Sequence, residues 1–110
     1  MADVIERIES AIKQNKIVVF MKGDRNFPQC GFSAAVVQIL GSLGAPFGTV
    51  DVLGDPELRE EIKRYSNWPT IPQVYISGKF IGGSDIVREL YESGELQNLV
   101  KDALGEAARQ

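Results

Sequence analysis

The segment KIVVF, residues 16–20, narrows the choice of folds most: it is β-branched and apolar on both faces, as befits a strand buried at the centre of a sheet. Helix patterns lie on either side of it. Upstream, over residues 3–15, Val4, Ile5, Ile8, Ala11 and Ile12 fall on one helical face, and Asp3 with Glu6 has the spacing of a capping box. Downstream, Ala35, Val36, Ile39, Leu40 and Leu43 form a second apolar face that runs out at Gly41 to Gly44. A buried strand, a loop and a helix in that order make an α/β motif.

The rest of the chain extends it. FGTVDV, residues 47–52, alternates as a second strand. A helix follows, with Asp55 at its N-cap, Pro56 in its first turn and Leu58, Ile62 and Tyr65 facing inward. PQVYISGKFIGG, residues 72–83, reads as two short strands around a Ser77-Gly78 turn. Ser84 is placed to cap a helix beginning at Asp85, and GELQNLVKDAL, residues 94–104, closes the pattern as an amphipathic helix. The predicted order is α-β-α-β-α-β-β-α-α, a parallel half followed by an antiparallel half. No repeat, low-complexity tract or linker interrupts it, and 110 residues suit one compact domain spanning residues 1–110.

Composition excludes several functions. A net charge of −3 offers no electrostatic footprint for nucleic acid or an anionic membrane. The opening MADVIERIES has no basic stretch followed by an apolar one, and the longest apolar run, IVVFM, is far too short to cross a bilayer. These features predict a protein that is neither exported nor membrane-spanning. The chain has one cysteine and no histidine. It cannot form an internal disulfide, which fits a reducing compartment, and it lacks the residues of an ordinary zinc site or a Cys-His hydrolase. Whatever Cys30 bonds to comes from outside the chain.

Cys30 sits between a proline-containing loop and a helix start, where unpaired N–H groups and the helix dipole favour a thiolate. Pro28 stiffens the loop, and Gly31 adds no side chain beside the sulfur. The plainer alternative is a small buried hydrophobe. Ile71-Pro72 is a candidate cis peptide, in a turn that would leave the Ile71 N–H and C=O open to an extended peptide; a rigid lead into a strand is the alternative. Gly82 and Gly83 would let a ligand backbone approach, ahead of a helix start suited to a carboxylate, or else simply end a hairpin. Lys22, Arg59 and Lys63 are either solvated surface charges or the basic end of a site.

Taken together, MKGDRNFPQCGFS (21–33), WPTIP (68–72) and GGSD (82–85) resemble the monothiol glutaredoxins, the single-domain branch with a CGFS active site. The likeness runs over essentially the whole chain. It implies a thioredoxin-like α/β fold: a four-stranded mixed sheet flanked by helices, Cys30 at the start of the second helix and Pro72 cis beside it. It also implies bound glutathione. Lys22 and Arg59 would pair with the glycine carboxylate, supported by Lys63, and Ile71 would supply main-chain hydrogen bonds. Ser84 and Asp85 would hold the γ-glutamyl end, with helix-start N–H groups on its carboxylate and the Asp85 side chain on its ammonium. Many relatives carry a second cysteine where this chain has Ser84, so Cys30 must be resolved by another molecule.

Two functions follow from the resemblance. In the first, Cys30 is a ligand of a [2Fe-2S] cluster shared between two subunits and completed by two glutathiones. The protein is then monomeric without the cluster, homodimeric with it, and delivers it to iron-sulfur acceptor proteins. In the second, Cys30 is the catalytic thiol of a weak glutathione-dependent oxidoreductase. A redox-inert adaptor has no sequence support of its own. The expected location is the cytoplasm, or an organelle stroma or matrix if a targeting segment has been removed.

Overall fold

The computed structural model describes residues 2–105. In chain order the elements are α1 (Ala2–Gln14), β1 (Ile17–Met21), α2 (Gly31–Ser42), β2 (Gly48–Asp51), α3 (Pro56–Ser66), β3 (Gln73–Ile76), β4 (Lys79–Gly82), α4 (Ser84–Ser93) and α5 (Glu95–Leu104). The strands form one sheet in the order β2-β1-β3-β4. β1 runs parallel to β2, with Val19 opposite Thr49, and antiparallel to β3, with Val19 opposite Val74. This is the mixed, four-stranded, thioredoxin-like sheet that the sequence led us to expect.

The two-faced apolarity of β1 has its counterpart in two cores. Ile17, Val19 and Met21 join Val74 and Ile76 under Val36 and Leu40 of α2, Val87 of α4 and Leu96 and Val100 of α5. Val18 and Phe20 join Tyr75 under Val4 and Ile8 of α1 and Leu58 and Ile62 of α3. Every β1 residue is buried. At about 1.5–3 kcal/mol for each fully buried large apolar side chain, this strand anchors both layers. The β3–β4 turn takes Ser77 at φ 52° and Gly78 at φ 80°, the left-handed pair of a two-residue hairpin.

Four local expectations are corrected. Asp3 lies in the first turn of α1, not before it, where its charge still complements the helix dipole. The same helix stops at Gln14, and the Asn15 side chain turns back to donate to the Ala11 carbonyl at 2.9 Å. Tyr65 is 40% exposed rather than inward, although its ring lies 6.4 Å from that of Tyr75 at the core's edge. α4 begins one residue early: Gly83 occupies the cap position and Ser84 is already helical, without a capping bond. A Cβ at position 83 would lie 3.2 Å from the Pro72 carbonyl oxygen, so the cap falls where only hydrogen fits comfortably.

Candidate functional site

The loop between β1 and α2 carries Cys30 to its place. Gly23 turns at φ +86°, and a side chain there would collide with the Phe27 carbonyl and the Gln29 N–H. Asp24 Oδ1 accepts from the N–H groups of Asn26 (2.9 Å) and Phe27 (3.0 Å), folding the loop on itself. The Gln29 N–H donates to the Lys22 carbonyl at 2.8 Å. Asp51 Oδ1, at the end of β2, accepts from Gly23 N–H at 3.0 Å and Leu53 N–H at 2.8 Å, tying the loop to the sheet. Cys30 therefore arrives at the N-cap of α2 with extended backbone.

Its sulfur accepts a hydrogen bond from the Ser33 N–H at 3.4 Å and lies 3.4 Å from Ser33 Oγ. Ser33, fully buried, also accepts from the Lys22 N–H at 3.2 Å, which leaves its own hydroxyl proton free to turn toward an ionised sulfur. Burial of the sulfur is the largest single influence and opposes ionisation. The hydrogen bonds from the Ser33 hydroxyl and the N–H groups of Ser33 and Phe32, with the Lys22 charge, outweigh it, so the Cys30 pKa is lowered from that of an ordinary thiol. Cys30 is half-buried, not enclosed. Phe27 and Phe32, 72% and 61% exposed, stand on either side of it in the chain.

Beside the thiol lies a cavity of about 480 Å³. Lys22, Arg59 and Lys63 line it together with Ile71 and Pro72, and with Gly83, Ser84 and Asp85. Each residue expected to hold a ligand other than Cys30 itself thus lines one space. Cys30 is not itself a lining residue; Phe32, whose N–H reaches the sulfur, and Lys22, whose charge acts on it, are. Ile71-Pro72 is cis, and among the described residues the Ile71 N–H and C=O have no backbone partner. The Arg59 Nε is buried without a hydrogen bond; its contact with Glu60 is 4.0 Å, an ionic approach too long for one. Trp68 Nε1 is a second buried donor without a partner among the described residues.

The α4 side differs in character. Gly83 brings no side chain to the helix start, Ser84 is buried, and Asp85 is exposed with Arg88 3.9 Å away. The cavity therefore combines cationic side chains from Lys22 and α3, where Glu60 lies 3.6 Å from Lys63, with the uncapped start and the Asp85 carboxylate of α4. Sequence reasoning missed the lining residues Phe32, Glu60, Trp68, Thr70 and Ile86. Trp68 and Thr70 stand within the WPTIP segment that drew attention for its prolines, and Phe32 within CGFS. Among the described residues no three His, Cys, Asp or Glu side chains gather into a metal-binding group, and no helix is long and apolar enough to cross a membrane.

The profile of the Glutaredoxin family matches residues 17–81. A Synechocystis protein named an uncharacterized monothiol glutaredoxin, ycf64-like, is 61% identical, the match covering 89% of this chain and 92% of the relative. The chain belongs to the glutaredoxin family, and within it to the monothiol branch with a CGFS site. The solution structure of reduced poplar apo GrxS14 superposes with a TM-score of 0.83 at 51% identity, covering 92% of this chain and 93% of that one. The crystal structure of a buckwheat glutaredoxin-glutathione complex superposes with a TM-score of 0.82 at 25% identity, covering 93% and 91%.

Proposed function

We propose that this single-domain protein binds glutathione in the cavity beside Cys30 and, as a homodimer, carries a [2Fe-2S] cluster for delivery to acceptor proteins. The observation that carries the reading is the cavity itself. Lys22, Arg59 and Lys63 line it with Ile71, Ser84 and Asp85, so a basic wall, an unpaired strip of backbone and an acidic helix start share one space beside the chain's only thiol. A short zwitterionic peptide needs those three things. Lys22 and Arg59 take the glycine carboxylate with Lys63 in support, and Ile71 exchanges main-chain hydrogen bonds with the cysteinyl unit. The α4 N–H groups at Ser84 and Asp85 take the γ-glutamyl carboxylate, and the Asp85 side chain takes the ammonium. That a buckwheat relative of the same fold was solved with glutathione supports glutathione as the ligand.

The donor set fits a shared cluster. A [2Fe-2S] cluster takes four ligands, usually thiolates. This chain offers one cysteine, half-exposed, with a pKa lowered from that of an ordinary thiol. Two subunits and two glutathiones complete the set, and with half the ligands exchangeable the cargo is readily passed on. Nothing in the net charge of −3 suits nucleic acid or an anionic membrane as partner, and the proposed setting is the cytoplasm or an organelle stroma. The test is anaerobic reconstitution with iron, sulfide and glutathione, followed by visible spectroscopy and sizing. Charge-transfer bands in a dimer that requires both Cys30 and glutathione are expected, and Cys30→Ser should abolish them. A Cys30→Ser protein that still takes up a normal cluster overturns the reading.

The lowered pKa of Cys30 favours one second reading, weak thiol-disulfide exchange. The Cys30 thiolate attacks the glutathione sulfur of a mixed disulfide; that S–S bond breaks, and the other thiolate leaves and takes up a proton. A second glutathione thiolate then attacks the glutathionylated Cys30, giving glutathione disulfide and restoring the Cys30 thiolate. Brisk turnover of a small glutathione mixed disulfide would promote this reading over the first.

A further inference from the structure

We propose that Gln73 is a positioning residue which holds the WPTIP turn in the shape that presents the Ile71 backbone to glutathione, an inference resting on the glutathione reading above. Gln73 is the first residue of β3, opposite Phe20, and is fully buried, an unusual setting for an amide. By strand alternation it shares a sheet face with Tyr75 and points away from α2. Its Nε2 donates to two carbonyls of the turn, Trp68 at 3.2 Å and Thr70 at 3.2 Å. Two acceptors around one end of the amide identify that end as nitrogen.

The placement of those bonds gives the residue its role. One side chain bridges residues 68 and 70 and so clamps the turn just before Ile71, while the Ile71 N–H and C=O themselves stay unpaired. A turn closed by backbone bonds would have consumed such groups; this one is held by a side chain, which leaves them unpaired on a residue that lines the cavity. The amide is also a poor choice for packing alone. Gln73 Oε1 is buried with no partner among the described residues, a cost that an apolar side chain of similar size would avoid. The strut thus serves the turn's geometry more than the stability of the core.

The test is calorimetric binding of reduced glutathione to the unaltered protein and to Gln73→Met, with a glutathione analogue N-methylated at its cysteinyl nitrogen as second ligand. The analogue lacks the donor for the Ile71 carbonyl. Gln73→Met should bind glutathione about tenfold more weakly, as when the support behind a site is removed. It should bind the analogue nearly as the unaltered protein does, because both changes remove the same interaction. A merely structural role would weaken both ligands alike, and that additive result overturns the proposal, as does unchanged glutathione affinity. Should Gln73→Met fail to fold, amide resonances of the unaltered protein decide. Ile71 and the Gln73 side-chain amide shifting together on glutathione addition supports the proposal, and Ile71 shifting alone overturns it. An unaltered protein that binds no glutathione at all removes the glutathione reading first, a result distinct from all of these.

Discussion

Two helices begin beside the same cavity and treat their starts in opposite ways. At α2 the cap residue is Cys30, whose sulfur accepts from the Ser33 N–H. At α4 the cap residue is Gly83, which makes no side-chain capping bond. By contrast α3, which lines the cavity through Arg59 and Lys63 but whose cap residue does not, is capped conventionally, by Asp55 accepting from the Leu58 N–H at 3.1 Å. Every helix start leaves N–H groups that need an acceptor. When the acceptor is the chain's own thiolate, the helix lowers the thiol pKa and produces a nucleophile or metal ligand. When the chain supplies none, the helix keeps its capacity for an anion brought by a ligand. One local rule yields a reactive end and a recognising end, according to the residue at one position.

Making α2 resemble α4 is the most drastic way to break this comparison. Cys30→Ala should eliminate thiol alkylation and cluster uptake outright, while removal of a sulfur cap, a weak acceptor, costs the fold only about 0.5 kcal/mol. Glutathione affinity, which the proposed site draws mainly from the other residues, should fall far less than cluster uptake. Loss of both together would show that the two helix starts are not separable. The comparison is reversed by Gly83→Asp, which makes α4 resemble α2. Its carboxylate would occupy the N–H groups that we propose take the γ-glutamyl carboxylate, and glutathione binding should weaken about tenfold, near the value of one such hydrogen-bonded charge. The cap gain, about 1 kcal/mol, is offset by the 3.2 Å approach of a Cβ to the Pro72 carbonyl, so the melting temperature should move little. Unimpaired glutathione binding by this variant would show that the α4 start does not face the ligand.

What the sequence disclosed, and what it withheld, follows the range of the interactions involved. The two-sided strand, the Ser77-Gly78 hairpin and the Asp55-Pro56 helix start are local patterns, and each is found where expected. Lys22, Ile71, Ser84 and Asp85, which line the cavity, stand within the segments that carry the resemblance, whereas Arg59 lies outside them and was singled out through its helix-face spacing to Lys63 and the resemblance. The shift of the α4 cap from Ser84 to Gly83 was hidden, because the crowding that decides it comes from Pro72, on a different segment. Tyr65 fits the α3 periodicity yet lies at the edge of the layer, where the helix runs past the core. The bond from the Lys22 N–H to Ser33 joins residues eleven apart through the loop, and Gln73 looks like any strand polar residue until the turn beneath which it lies is seen.

The finest division of labour at the α2 start lies between the backbone and the Ser33 hydroxyl, and Ser33→Ala separates them. The variant keeps the Ser33 N–H bond to sulfur and loses the hydroxyl, one of the influences that lower the Cys30 pKa. Because the folded pKa is depressed, the fraction of thiolate at neutral pH should drop in the variant, and iodoacetamide should alkylate it more slowly. The pH-rate profile should move upward, toward that of an ordinary thiol, and only modestly, since a 3.4 Å contact to sulfur is a weak one. Linkage fixes the sign for stability as well. The gain from the depressed pKa is present in full above the unfolded value of about 8.5 and is lost as pH falls through the folded one. The stability gap between the unaltered protein and Ser33→Ala should therefore widen as pH rises, which denaturation at several pH values can follow. A gap independent of pH would mean that Ser33 only packs, and that the backbone and Lys22 tune the thiol without it.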